Sequence, residues 1–474
     1  MAPRITIDGY NLGLEQGTGV ATYARNLSFR LGAMGAEVDV LYGTRASPAK
    51  DPLIREIAFF DGRVGAPSKP GRMIRTFRRL VLPMIGNKAE PVPMTGRVIT
   101  RTFDARLPHY DRLWNIEELF SLSANHFKWH YERLKVRLPE RPDIMHWTYP
   151  VPVVARGTRN IYTLHDLVPL RLPYTTLDHK RRYLRLNRLL VREADHIVTV
   201  SEASRQDIIN LLGCPPEKVT NTYQSVELPA KLARKPEPEA RDDVMGSFGL
   251  EWKGYYLFFG AIEPKKNVGR MIEAYLASGT ELPLVIVGKQ AWKSQEELRL
   301  LYEDHQRWML PQGGGEPQTL MQRKLRDRIV LLDYAPFRLL LSLIRGARAA
   351  LFPSLYEGFG LPALEAMSLG TPVLTSNTSS LPEVVGDAAV TVDPYDVRAI
   401  TEGIRALDGQ PELREHLAMV GPQRAALFSA EHYERRLTDL YARLGVRLDG
   451  APARAGAAAA PAAASRTLAS GRAA

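Results

Sequence analysis

Residues 352–394 read FPSLYEGFGLPALEAMSLGTPVLTSNTSSLPEVVGDAAVTVDP. A strand ends at Phe352. A turn carrying Gly358 and Gly360 follows, and Pro362 suits the opening position of a helix. A loop of this kind leaves free backbone N–H groups at a helix N-terminus, which is an anion site suited to phosphate. Glu357 lies in the loop, and Glu365 is expected in the first helical turn. A carboxylate repels phosphate but accepts hydrogen bonds from hydroxyls beside it, and ribose and hexose hydroxyls fit that description. Each charge-assisted bond of this type contributes about 1.5–3 kcal/mol. Alone, Glu365 would be better explained by the dipole of its own helix. Its spacing from Glu357 and the two glycines favours a ligand.

Strand and helix signals alternate on both sides of this stretch. Toward the N-terminus, Arg4–Asp8 reads as a strand, Gly9–Gly19 as a loop and Val20–Met34 as a helix, with Glu37–Tyr42 as the next strand. This β-loop-α-β unit belongs to a doubly wound sheet. The alternation resumes at Asp143–His146 and at Arg159–Leu164, which runs into His165-Asp166. A strongly basic helix over Lys180–Glu193, a strand at His196–Val200 and a capped helix start at Ser201 follow. Residues 229–243, PAKLARKPEPEARDD, are charged and aperiodic and read as a linker. Alternation then restarts at Tyr255–Phe259 and continues to a mainly helical 388–445. The reading is α/β with two Rossmann-like domains, residues 1–235 and 244–430. A final helix over 431–447 is expected to pack back on the first domain. Residues 451–474 hold 13 Ala and no core-forming pattern, so that tail is expected to be disordered.

Composition narrows the class. The 474 residues are 45% hydrophobic and 24% charged, which is globular composition. Cys214 is the sole cysteine, so there is no disulfide framework. MAPRITIDGYN runs directly into strand-like sequence, so no leader peptide is expected. No apolar run reaches the roughly 18 residues of a spanning helix. The net charge is +11, and residues 61–140 hold 15 Lys/Arg against 8 Asp/Glu. That interval reads as a basic insertion in the first domain. Arg72, Arg75, Arg78 and Arg79 beside Met73, Ile74, Phe77 and Leu80 suggest a basic amphipathic helix fit for an anionic membrane surface. No zinc-finger, RRM or helix-turn-helix pattern supports nucleic acid as the partner.

Four blocks carry a family resemblance. Glu357-GFGLPAL-Glu365, with AMSLGTPV and SSLPEVVGDAA after it, resembles the retaining glycosyltransferases of family 4. FFGAIEPKKN (with Lys265, Lys266 and Asn267), the N-terminal GTGVATYARNL, and TLHD with VTVSEAS fit the same family. Together they span residue 5 to about 394. The resemblance implies the GT-B architecture, two Rossmann-like domains facing a cleft, with the donor held on the C-terminal domain. It implies that Glu365 binds the donor ribose and Glu357 the transferred sugar. Backbone N–H groups at Gly358, Phe359, Gly360 and Leu361 would hold sugar and pyrophosphate. Lys265 and Lys266 would neutralise the diphosphate leaving group, whose charge grows in the transition state. Gly17 and Gly19 would let the first loop approach the diphosphate. His165 resembles the family histidine at the donor sugar, and it or Asp166 could help deprotonate the acceptor. His146 has a weaker claim. The family's frequent Arg after the strand glycine is here Ala261, which leaves the lysine pair to carry the charge. Its frequent Asn-Gly is here Gln224-Ser225.

No Asp-x-Asp occurs, and no metal or other cofactor is expected. The expected reaction is hexose transfer from a nucleoside diphosphate sugar to a hydroxyl with retention of configuration. AIEPKKN and LHDLVPL resemble bacterial enzymes of polysaccharide assembly, which implies mannose from GDP-mannose and a glycan or lipid-linked acceptor. The expected place is the cytoplasm, at the inner face of the membrane. Alternatives are a sugar-phosphate synthase with a small acceptor, a nucleotide-sugar epimerase, and a non-catalytic nucleotide-sugar-binding scaffold.

Overall fold

The computed structural model describes residues 2–13, 19–45, 51–61, 87–98, 107–291, 293–301 and 328–448. Gly17, Arg72, Arg75, Arg78, Arg79 and the Ala-rich tail lie outside them.

The first half builds an eight-stranded sheet. Its order is Val219–Asn221, His196–Thr199, Arg159–Thr163, Ile144–Trp147, Arg4–Asp8, Glu37–Tyr42, Arg112–Asn115 and Glu90–Pro91. All pairs are parallel except the edge strand Glu90–Pro91, which runs antiparallel to Arg112–Asn115. The second half builds a six-stranded parallel sheet ordered Ile329–Leu332, Leu284–Val287, Tyr256–Phe259, Ala349–Phe352, Val373–Ser376 and Val390–Val392. Counted along the chain this order is 3-2-1-4-5-6, that of dinucleotide-binding sheets. Two of its inner strands are short and wholly apolar (LVIV at Leu284–Val287, AALF at Ala349–Phe352), with every residue buried. That is the pattern of strands covered by helices on both faces.

In such a sheet the crevice lies outside the carboxyl ends of the two strands where the winding reverses. Here those strands are Tyr256–Phe259 and Ala349–Phe352, adjacent and parallel. The first runs on toward Lys265-Lys266, the second toward Glu357. The reversal of the first sheet lies beside Arg4–Asp8 and Ile144–Trp147.

Three expectations need correction. Residues 229–243 are not a structureless linker: helices Ala230–Ala233 and Glu237–Phe248 occupy them. The second buries Ala240 and Val244, an i, i+4 pair hidden among charges. Its Asp243 accepts from Ser342 Oγ at 2.8 Å and pairs with Lys235 at 2.5 Å. The interval 61–140 is not wholly an insertion, because Arg112–Asn115 pairs with Glu37–Tyr42 as part of the main sheet. Glu365 is the fifth residue of helix Leu361–Ser368, one turn later than expected.

Helix Ala430–Arg443 lies on the first sheet. Tyr433, Leu437, Leu440 and Tyr441 are its buried face. Tyr441 Oη is 2.7 Å from His146 Nδ1, and Glu434 meets Arg30 at 2.9 Å. His146 is fully buried, and its Nε2 is 2.8 Å from Thr163 Oγ1. It therefore holds the core together rather than lining a cleft.

Candidate active site

Lys265 and Lys266 form a short 3-10 turn, Pro264–Lys266, closed by Asn267 in the left-handed region at φ 60°. Asn267 Nδ2 donates to the carbonyls of Pro353 at 2.9 Å and Pro394 at 2.7 Å. Leu355 N donates to Lys265 O at 2.8 Å. These bonds weld the lysine turn to the loop carrying Glu357. As a result Lys266 Nζ reaches Glu357 Oε1 at 2.6 Å, and Ser354 Oγ donates to the same oxygen at 2.8 Å. Burial pushes the Glu357 carboxyl up, but Lys266 and Lys265 outweigh it and hold it below the usual range. Burial opposes the charge of Lys265 too, yet Glu263, Asp166 and Glu357 hold that ammonium above its ordinary value. Lys265 Nζ lies 3.4 Å from Glu263 Oε1.

The Glu357 loop is fixed on its other side by Ser379 and Ser380. Glu357 N donates to Ser379 Oγ at 3.0 Å, and Ser380 Oγ donates to Glu357 O at 2.9 Å. Gly360 sits at φ 103°, a left-handed conformation that favours glycine, and a Cβ there would come within 2.8 Å of Leu381 Cδ2. Phe359 is buried against Tyr223 and Phe428, so only its backbone is available to a ligand. Leu361 and Pro362 open helix Leu361–Ser368. Glu365 is half-buried on that helix, and burial raises its carboxyl to about 7.

The first domain faces this loop across the cleft. A Cβ on Gly358 would lie 3.0 Å from both Asp166 Oδ2 and His165 O, so glycine permits the close approach. His165 Nε2 donates to Thr148 O at 2.9 Å, and its ring meets Tyr23 edge-on at 4.8 Å. Burial lowers its pKa and favours the neutral ring. Asp166 Oδ1 accepts from Val168 N at 3.1 Å. Val168 and Leu172 also pack with Leu355 and Tyr356, an apolar seam between the halves. A cavity of ≈ 360 Å³ opens here, lined among others by Val20, Tyr149, His165, Asp166, Asp178, Tyr183, Glu263 and Lys265.

The structure thus brings His165, Asp166 and Lys265 to one cavity, with Gly358 against His165 and Asp166, and Glu357 paired to Lys266 next along the chain from Gly358 and Lys265. Glu365 stands on the helix behind the loop and is not among the lining residues. Gly19 begins helix Gly19–Ala33, whose Val20 lines the cavity. Sequence reasoning missed the direct Lys266–Glu357 pair, the serines that clamp Glu357, and Asp178 and Glu263 in the cavity wall. Asn267 and the Ser379-Ser380 pair stood in the quoted blocks, but their partners are far away in sequence and nothing local names them.

Comparison with known proteins identifies the family and the fold. Residues 18–222 match the family described as "Glycosyl transferase 4-like domain", and residues 245–424 that described as "Glycosyl transferases group 1". The chain is 33% identical over 296 residues to the O-antigen chain mannosyltransferase B of Escherichia coli, covering 60% of this chain and 71% of that enzyme. In fold it is similar to a sucrose-phosphate synthase from Thermosynechococcus elongatus. That likeness has a TM-score of 0.61 at 16% identity and covers 94% of this chain and 99% of that one. Anabaena HepE, solved in complex with UDP and glucose, gives a TM-score of 0.61 at 13% identity, covering 93% of this chain and 100% of that one. The fold is that of two facing Rossmann-like domains, and the chain belongs to the group 1 glycosyl transferases.

Proposed function

We propose that this glycosyltransferase moves a mannosyl residue from GDP-mannose to a hydroxyl of a lipid-linked glycan during polysaccharide assembly, with retention of configuration. The observation that carries the reading is the placement of Lys265, Lys266 and Glu357 at the reversal of a 3-2-1-4-5-6 sheet, facing His165 and Asp166 across the cleft. The mannosyl choice is supported by the E. coli relative.

In this reading Lys265 and the N–H groups at Gly358–Leu361 meet the diphosphate, whose charge rises as the glycosidic bond breaks. Lys266 orients Glu357, leaving its second oxygen for a sugar hydroxyl. Glu365 accepts from the ribose hydroxyls. His165, held by Thr148, meets the sugar as a neutral ring. The C1–O bond to the diphosphate breaks, and a C1–O bond to the acceptor forms on the same face. The acceptor proton passes to the departing phosphate oxygen, with Asp166 orienting the acceptor hydroxyl. The donor's charge is met by protein cations and backbone N–H groups, so no metal is assigned a role.

The cavity bears on the acceptor. Among the described residues, Asp166, Asp178 and Glu263 line the cavity with one cation, Lys265. Away from Lys265, which the reading gives to the donor diphosphate, the Asp166 and Asp178 carboxylates suit neutral sugar hydroxyls better than a second phosphate, which disfavours a sugar-phosphate acceptor. A membrane-bound acceptor is supported by helix Lys180–Glu193, whose Arg181, Arg182, Arg185, Arg188 and Arg192 are exposed. Arg185 lies 4.7 Å over the ring of exposed Tyr131, near Trp129, which is 73% exposed. Among the described residues no helix is long and apolar enough to cross a membrane.

The test is a thermal-shift panel of GDP, UDP, ADP, dTDP and their sugars. Ligands that bind the folded state raise the melting temperature by mass action. A selective shift by GDP and GDP-mannose is expected. A selective shift by UDP or ADP overturns the mannose donor, and no shift from any nucleotide overturns the donor site itself.

A further inference from the structure

Helix Glu202–Leu212 belongs to the first domain, yet it is gripped at two points by the second. Ser201 caps it in the ordinary way, its Oγ accepting from Ser204 N at 3.0 Å. The N–H groups of Glu202 and Ala203 would still be orphans of the first turn. Glu383, on helix Leu381–Val385 of the second domain, takes both. Its Oε2 accepts from Glu202 N and its Oε1 from Ala203 N, each at 2.9 Å. Tyr223 Oη donates to Oε2 at 3.2 Å. A carboxylate at the positive end of a helix is favourably placed. One turn on, Asp207 of the same helix accepts from Tyr356 Oη at 2.6 Å.

Both grips lead to the transfer site. Tyr356 precedes Glu357 in the chain. Glu383 follows Ser379 and Ser380, the two residues that clamp the Glu357 backbone. On the far side, Ser204 Oγ donates to His165 O at 3.0 Å. A short series of bonded groups therefore runs from Glu357 through Glu383 and the helix start to His165.

We propose that Glu383 is a positioning residue, an interdomain latch that holds the donor-side Glu357 loop and the acceptor-side His165 in register. Its carboxylate touches neither substrate. It acts by supplying the second domain's cap to a helix of the first. The effect on turnover rests on the transferase reading, whereas the effect on domain arrangement does not.

The experiment compares the full chain with Glu383→Ala, Glu383→Gln and Glu202→Pro. The last removes one latch donor while leaving the carboxylate. Proline is tolerated at the first helical position, and Ser201 already has the extended backbone that precedes proline. Small-angle scattering of the ligand-free proteins is expected to show a larger radius of gyration for each variant, with helix content unchanged. GDP affinity, read by calorimetry, is expected to stay within about threefold, because Lys265, the Gly358–Leu361 N–H groups and Glu365, the main groups proposed to hold the nucleotide, all belong to the second domain. Transfer from GDP-mannose is expected to lose about tenfold or more in kcat with little change in donor KM. An unchanged radius of gyration in Glu202→Pro and Glu383→Gln overturns the latch. So does a loss of GDP affinity that matches the loss of kcat, which would make Glu383 a support of the nucleotide site alone. If GDP binds no form of the protein, the donor assignment fails while the scattering still decides the latch.

Discussion

At the scale of single residues, Glu365 makes the sharpest claim. Its carboxyl is raised to about 7 by burial. As an acceptor for ribose hydroxyls it must be ionised, so nucleotide affinity should climb as pH rises from 6 to 8 and level off above that. Isothermal titration with GDP across that range would show the rise. Glu365→Gln should flatten it and weaken binding by roughly 10- to 100-fold, the loss of one or two charge-assisted bonds. Unchanged affinity in that variant removes the ribose role. Glu357 behaves differently: Lys266 at 2.6 Å keeps it ionised, so it should contribute no titration near neutrality. Both glutamates were legible because their spacing around two glycines is local. Their opposite electrostatics were not, because Lys266 is 91 residues away from Glu357.

At the scale of elements, helix Lys180–Glu193 carries the membrane question, since the Arg72–Arg79 stretch lies outside the described residues. Its buried face holds Asn187, Leu189, Leu190 and Val191 and its other side bears the arginines, so packing uses one stripe and leaves the charge to solvent. Each Arg near an anionic surface contributes on the order of 1 kcal/mol. Changing Arg181, Arg182, Arg185 and Arg188 together to Gln should abolish sedimentation with phosphatidylglycerol-containing vesicles and leave GDP binding intact. Sedimentation equal to that of the unaltered chain would discard this helix as the membrane face. The element scale also shows where composition misleads. The first part of helix Glu237–Phe248 falls in residues 229–243, which read as a linker because they are charged, Pro-containing and aperiodic. Its two buried residues, Ala240 and Val244, gain meaning only when helix Phe337–Gly346 supplies the surface they cover.

At the scale of the whole molecule, the last helix ties the chain's end to its first sheet through His146. That ring is buried between Thr163 and Tyr441, and burial with His165 nearby lowers its pKa to about 3. Below its ordinary value near 6.5 the unfolded chain takes up a proton that the folded chain refuses. Stability from this site is therefore full above about pH 6.5 and is lost as pH falls toward 3. At pH 5.5 the loss approaches about 1.4 kcal/mol. Urea unfolding at pH 7.5 and 5.5 should show a smaller acid penalty for His146→Asn than for the unaltered chain. Equal penalties would mean that His146 does not titrate between the two states.

The sequence by itself determined the two-sheet α/β class, the family, the Glu357–Glu365 loop and the lysine turn. These rest on local patterns: apolar strand runs, glycines where backbone must bend, and helix starts that expose N–H groups. Only the tertiary structure decided which distant groups meet. It joined Lys266 to Glu357, brought Gly358 against His165 and Asp166, set Glu383 on a helix 180 residues away, and withdrew His146 into the core. The physical reason is that strand order and domain approach fix these neighbours, and neither leaves a periodic trace along the chain.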